Sequence, residues 1–232
     1  MRTKKWAVAL LAVALMLCLL PTAAFAAGDY LVWLNNAWLS EGETTIGEGK
    51  VTLDVENKTL TMENVALDSF VSFEADEEFT LIVKGTNTIM PADRSIGIGT
   101  KNTLPKLNIV LEENASLTIT VTSANAVYIR GGDLSVSGAG TLTMESEGGY
   151  PTLFVAGGVA FENATVNITG DQVGLFTEIY DEVKDESTPT EITMRNATVN
   201  IDVTAGTNQA VFCALGSVTI EDTALTTKTK VT

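Results

Sequence analysis

From Val51 onward the chain is written in short runs in which apolar and polar residues alternate, each run closed by a turn-forming residue. A period of two predicts strands with one buried face, and the abundance of Thr, Val and Ile supports strands over helices. The second apolar residue after each turn falls at Leu60, Ile89, Leu117, Leu142, Val166, Val199 and Leu225, with gaps of 29, 28, 25, 24, 33 and 26 residues. Upstream of each lies an alternating pair: Leu53/Val55, Leu81/Val83, Ile109/Leu111, Leu134/Val136, Val159/Phe161, Ile192/Met194 and Val218/Ile220. A third strand type recurs as "RSIGIG" (94–99), "NAVYIR" (125–130), "PTLFVA" (151–156), "DQVGLF" (171–176) and "QAVFCA" (209–214).

Each unit of roughly this length carries three strands and is too small to bury its own apolar face, so stacked units must share one core. The prediction is an all-β fold, a right-handed parallel β-helix of about seven coils. An antiparallel sandwich or barrel has a similar strand and turn spacing, but the three-strand phase kept over several units favours the β-helix. The hexapeptide "NATVNI" at 163–168 recurs unchanged at 196–201. Three residues before the anchors lie Asn57, Thr86, Asn114, Ala139, Asn163, Asn196 and Asp222, mostly residues that tolerate the left-handed backbone of a tight turn. The repeat therefore predicts a turn followed by a strand, with turn amides stacked in a ladder along the solenoid. The same stretches, starting at Asn57, Asn114, Asn163 and Asn196, match a glycosylation acceptor pattern, which the turn register explains as well.

The first 26 residues differ in kind. Arg2, Lys4 and Lys5 precede an apolar run, and Ala24-Phe25-Ala26 offers small residues for cleavage. This is the pattern of a secretory signal peptide, too short in its apolar run for a spanning helix. Residues 27–50 are expected to form an N-terminal cap in which Trp33 and Trp38 pack on the first coil, and residues 51–232 the β-helix. "ALTTKTKVT" at the end shows no capping pattern, so continuation into further domains, or cover by a partner, is expected.

With the leader removed, the net charge falls from −15 to −18, since the leader holds three basic residues and no acidic one. So acidic a surface disfavours nucleic acid and anionic membranes, and no insertion into a membrane is expected after leader cleavage. Cys213 is then the one cysteine, so no internal disulfide forms, and the absence of histidine removes Ser-His and Cys-His nucleophiles and the common zinc sites.

Candidate chemistry lies at two places. If Val127/Ile129, Leu153/Val155, Val173/Leu175 and Val211/Cys213 point inward, then Tyr128, Phe154, Gly174 and Phe212 share an outward column, with Arg130 on the same row as Tyr128. Stacked exposed aromatics offer a face for sugar rings, and Tyr150 is placed to flank it; the same strip covered by a loop would be satellite core. The longest gap holds the acidic insertion 178–190, in which Asp181, Glu182, Asp185 and Glu186 could ligate a hard cation such as calcium, although no known calcium spacing is present. A solvated acidic loop explains the same residues. No cofactor is required.

The segments "YLVWLNN", "GEGKVTLDVENKTLTMENV", "FTLIVKGTNTI" and "DLSVSGAGTLTM" resemble secreted surface proteins of anaerobic Gram-positive bacteria. That resemblance implies a right-handed β-helix related in fold to pectate lyases. Some of those proteins are labelled carbohydrate-binding domains, and calcium and acidic-polysaccharide binding are what some of them imply. No catalytic motif carries over. The expectation is a secreted or cell-surface module that binds a polysaccharide or other glycan without catalysis. The alternatives are a structural spacer in a larger surface protein, and a polysaccharide lyase or glycoside hydrolase. A lyase would need a base such as Arg130 beside a cation; a hydrolase would need two carboxylates at a suitable separation.

Overall fold

The computed structural model describes residues 31–92, 95–181, 186–204, 209–213 and 216–229. Among the described residues every regular element is a strand. Three sheets run the length of the molecule, and each coil gives one strand to each of them in turn. Sheet B holds Thr59–Glu63, Phe79–Lys84, Lys106–Leu111, Asp133–Ser137, Val159–Glu162, Thr190–Arg195 and Gly216–Glu221. Sheet C holds Ala66–Leu67, Thr86–Ile89, Ser116–Thr122, Thr141–Glu147, Thr165–Gly170, Thr198–Val203 and Ala224–Thr229. Sheet A holds Val71–Phe73, Ile98–Thr100, Val127–Ile129, Leu153–Val155, Val173–Thr177 and Gln209–Cys213. All these neighbours pair in parallel, so the fold is all-β, a parallel β-helix of about six turns.

The core is made of columns. Leu107, Leu134, Val159 and Ile192 lie one above the next, none more than 2% exposed. Each such side chain contributes about 1.5–3 kcal/mol by leaving water, so columns of this kind carry the stability of the fold. Leu117, Leu142, Val166, Val199 and Leu225 stack in the expected register. Ile89, however, meets Ile119, and the partner of Leu117 is Asn87. A slip of two residues leaves the buried face unchanged, which is why periodicity did not reveal it. Asn87 is fully buried; its Oδ1 accepts from the Val65 amide at 2.9 Å and its Nδ2 donates to the Lys84 carbonyl at 2.9 Å.

The beginning departs from the repeat. Gly42–Ile46, Gly49–Asp54 and Thr59–Glu63 form an antiparallel meander in which Leu53 faces Leu60. Leu60 then stacks on Leu81 in sheet B. The chain turns back at Lys58 (φ 51°), where the periodicity placed a first coil. At the other end Val218 and Ile220 point inward by register yet are 45% and 46% exposed.

The corner between sheets B and C explains the repeated hexapeptide. At its successive levels a left-handed residue occurs: Asn64, Gly85, Asn114, Gly138, Asn163, Asn196 and Asp222. Asn57, Thr86 and Ala139, placed at this turn by spacing alone, are not among the left-handed residues. In "NATVNI" Asn163 and Asn196 therefore make the turn, and Ala164 and Ala197 tuck under it, 3% and 4% exposed. The amide ladder belongs to the second asparagine. Asn200 Nδ2 donates to Asn167 Oδ1 at 2.9 Å, and Asn167 Nδ2 to Thr143 Oγ1 at 3.3 Å, on the outer face of sheet C.

Candidate functional site

Sheet A carries the site because its strands are short and its outward positions form one column. The corner leading into each strand asks for a small residue, followed by an inward aliphatic, then an outward position. Ala126-Val127-Tyr128, Thr152-Leu153-Phe154, Gly174-Leu175-Phe176 and Ala210-Val211-Phe212 obey this order, and their registers coincide. A Cβ on Gly174 would lie 2.2 Å from Ile201 Cγ2 and 2.7 Å from the Ala210 carbonyl oxygen, so that position faces the packed interior. The expected outward place of Gly174 is thus taken by Phe176. Gly174 and Leu175 are consecutive buried residues, a local break in alternation that a strict period of two cannot anticipate.

Tyr128 and Phe154 are adjacent as expected, with ring centroids 5.0 Å apart and planes at 43°. Phe154 and Phe176 stack at 5.3 Å and 13°. Phe212 is paired by its backbone with Phe176, extending the column; its side chain lies outside the described residues. The stacked rings spend a face on each other, so the ridge offers edges and end faces to solvent. Toward the start of the solenoid the column continues through Gly99, Ser72, Trp33 and Trp38. The two tryptophans make an edge contact at 5.2 Å and 84°, on this outer face rather than over the core.

Tyr150 closes one side of the ridge. It follows Gly148 and Gly149, at φ 98° and 89°, a bend that residues with side chains rarely adopt. The Gly148 amide donates to Asp171 Oδ2 at 2.8 Å, and Asn125 Nδ2 donates to the Pro151 carbonyl at 2.5 Å, which fixes the loop. Tyr150 is half exposed. Together Ile96, Tyr128, Tyr150, Pro151, Phe154 and Phe176 wall a groove of about 490 Å³, with Ser123 and Asn125 as polar neighbours.

Arg130 lies one row further out. Its backbone amide donates to Thr100 Oγ1 at 3.0 Å, and its guanidinium carbon sits 5.4 Å from the Tyr128 ring centre. Arg130, Ile96, Gly99, Thr100, Phe70 and Glu74 line a second hollow of about 480 Å³ that shares Ile96 with the first. Ser72 Oγ donates to Glu74 Oε1 at 2.6 Å. Lys101, also on this hollow, is turned to Asp76 Oδ1 at 2.9 Å. The Thr103 hydroxyl and that ammonium hold the Asp76 carboxyl below its ordinary range.

The acidic insertion forms a small hairpin, Ile179–Asp181 against Glu186–Thr188, with Asp181 opposite Glu186. The side chains of Asp181 and Glu186, and all of Glu182 and Asp185, lie outside the described residues, as do residues 1–26, expected from the sequence to be a leader. Among the described residues no group of three or more His, Cys, Asp or Glu could hold a metal, and no helix is long and apolar enough to cross a membrane. The sequence singled out Tyr128, Phe154, Arg130 and Tyr150, and the structure brings all four to one face; Phe176 and Ile96 were missed. Comparison with protein-family models, with curated proteins and with solved structures gives no match.

Proposed function

We propose that the chain is a non-catalytic glycan-binding module acting through the outer face of sheet A, at a cell surface or in the extracellular space. The observation that supports this reading is the groove walled by Tyr128, Tyr150, Phe154 and Phe176. Sugar rings present apolar C–H faces and a rim of hydroxyls, and they suit a concave aromatic surface with a few polar groups beside it. Successive coils are about 4.8 Å apart, close to the rise of one pyranose in an extended β-linked chain, so a glycan would lie along the solenoid axis. An acidic surface is compatible with a neutral polymer.

The stacking of Phe154 on Phe176 favours a second reading, a structural spacer whose aromatic column stiffens the sheet. Tyr150 separates the two readings, because it lines the groove yet stands half exposed on a loop. Residues 27–232 and Tyr150→Ala are to be screened on a glycan array, with calcium and with chelator. Binding that Tyr150→Ala loses at an unchanged melting temperature is expected, and dependence on calcium would bring in the acidic hairpin. No binding by the parent chain would leave the spacer.

A further inference from the structure

One residue in the outward column of sheet A has no explanation in the fold. Gly97 and Gly99 flank Ile98 on the same strand. A Cβ on Gly97 would meet Ile119 Cγ2 at 2.2 Å and the Ala126 carbonyl oxygen at 2.6 Å, so packing demands glycine there. Among the described residues a Cβ on Gly99 would meet Ile96 Cγ2 alone, at the ordinary contact distance of 3.9 Å; its φ is not in the left-handed region, and Gly99 lies buried on the floor of the outer hollow. Glycine weakens a strand, and one that packing does not require marks a place where something approaches the backbone closely. Its column neighbours are Ser72 and Tyr128, so Gly99 opens a notch in the ridge.

We infer that this notch receives the acetamido group of an N-acetylated amino sugar whose chain continues over the aromatic groove. The inference rests on the glycan-binding reading and specifies its substrate class. An acetamido group brings a methyl, one N–H donor and one carbonyl acceptor. Phe70 and Ile96 supply an apolar wall, Glu74 a carboxylate acceptor and Arg130 a guanidinium donor around the same hollow. Among the described residues the Glu74 carboxylate accepts from the Ser72 hydroxyl alone, at 2.6 Å, and one of its oxygens is spent there. The guanidinium of Arg130 rests on the Tyr128 ring, and among the described residues no carboxylate lies within ion-pair distance of it. Lys101 is engaged by Asp76, which leaves Glu74 and Arg130 as the charged acceptor and donor of the hollow, with Asn102 as a polar neighbour, a set suited to a neutral amide. From Ser72 to Phe176 the column spans four strand steps, about 19 Å at about 4.8 Å each, room for a tetrasaccharide.

Two ligands that differ only in this group test the point: tetra-N-acetylchitotetraose and cellotetraose, titrated calorimetrically against the full mature chain. The parent protein is expected to bind the acetylated sugar at least tenfold more tightly. Gly99→Val fills the notch and is expected to erase that preference, bringing the acetylated sugar's affinity down to that of cellotetraose or below. Glu74→Ala removes the acceptor with the notch open, and serves if the valine variant does not fold; it too is expected to lose the preference. Equal affinities in the parent overturn the acetamido assignment and leave the groove standing. A preference that survives both variants overturns the location. Failure of the parent to bind either sugar overturns this inference, and the glycan-binding reading falls with it where the array is silent as well.

Discussion

The two asparagines of "NATVNI" look alike in sequence and should respond oppositely to the same substitution. Asn163 has φ 56°, and its exposed side chain makes no hydrogen bond among the described residues. Its contribution is therefore its tolerance of the left-handed backbone. That conformation costs an ordinary L-residue about 1–2 kcal/mol, and a β-branched one is a clear outlier there. Asn163→Val should cost about 2 kcal/mol. At about 2–4 °C per kcal/mol for a chain of this size, the melting midpoint should fall by about 4–8 °C. Asn163→Gly, which meets no steric penalty, should stay within about 1 kcal/mol of the parent. Asn200 sits in a regular strand, and its amide donates to Asn167 at 2.9 Å. Asn200→Val loses about 0.5–1.5 kcal/mol of hydrogen bonding and regains up to about 1 kcal/mol of strand preference, so its midpoint should hardly move. Thermal unfolding followed by circular dichroism measures all three. If Asn163→Gly is as damaging as Asn163→Val, or if Asn200→Val costs as much as Asn163→Val, the division into a backbone device and a side-chain device is wrong.

Asn87→Ala should lower stability by about 2–3 kcal/mol, because it orphans the buried Val65 amide; calorimetry showing no loss would contradict the buried amide bridge. Asp76 is bound by the Thr103 hydroxyl and the Lys101 ammonium, which depress its pKa from the ordinary 3.8. A depressed carboxylate adds stability above its unfolded value, and that stability is lost as pH falls from about there through the folded value. Asp76→Asn should therefore narrow its deficit against the parent as the pH of chemical denaturation is lowered from 6 toward 2; a deficit that does not change with pH would refute the linkage.

How much could be read in advance follows from which positions every coil must satisfy. Inward columns and the B–C corner recur at each level, so Leu117 through Leu225 and the asparagines at 114, 163 and 196 stood out by spacing. Where a signal is shared by two structures, the sequence could not separate them. Alternation is the same in a hairpin and a coil, so Leu60 looked like an anchor while it faces Leu53 across an antiparallel pair. Alternation of Val173 and Leu175 around Gly174 reads as a ridge position for the glycine, yet consecutive burial of Gly174 and Leu175 hands that place to Phe176. The small-aliphatic-outward order could have found it, since Ala126, Thr152, Gly174 and Ala210 all precede an inward aliphatic. Tyr150 was legible as a flanking residue; the two left-handed glycines that aim it needed the backbone.

In a solenoid the repeat is the expected background, and departures from it carry the information. Each departure asks whether packing or hydrogen bonding accounts for it. Asn87 in a column of leucines is accounted for by the Val65 amide and the Lys84 carbonyl. Gly97 and Gly174 are accounted for by the side chains and carbonyls a Cβ would strike. Gly138 and Gly85 are accounted for by the left-handed corner. Gly99 alone among these meets no steric conflict among the described residues, its Cβ position lying 3.9 Å from Ile96 Cγ2, in a column otherwise occupied by side chains from Trp38 to Phe176. A glycine there weakens the strand, and a close approach to its backbone from outside is one use that offsets the loss. The same test applied to the aromatic column gives the complementary answer: the rings stack on one another well enough to serve the fold, while Tyr150, placed beside them by a bent loop, stands half exposed. Function on this surface is therefore to be sought at Gly99 and Tyr150, the two places the coil itself does not explain.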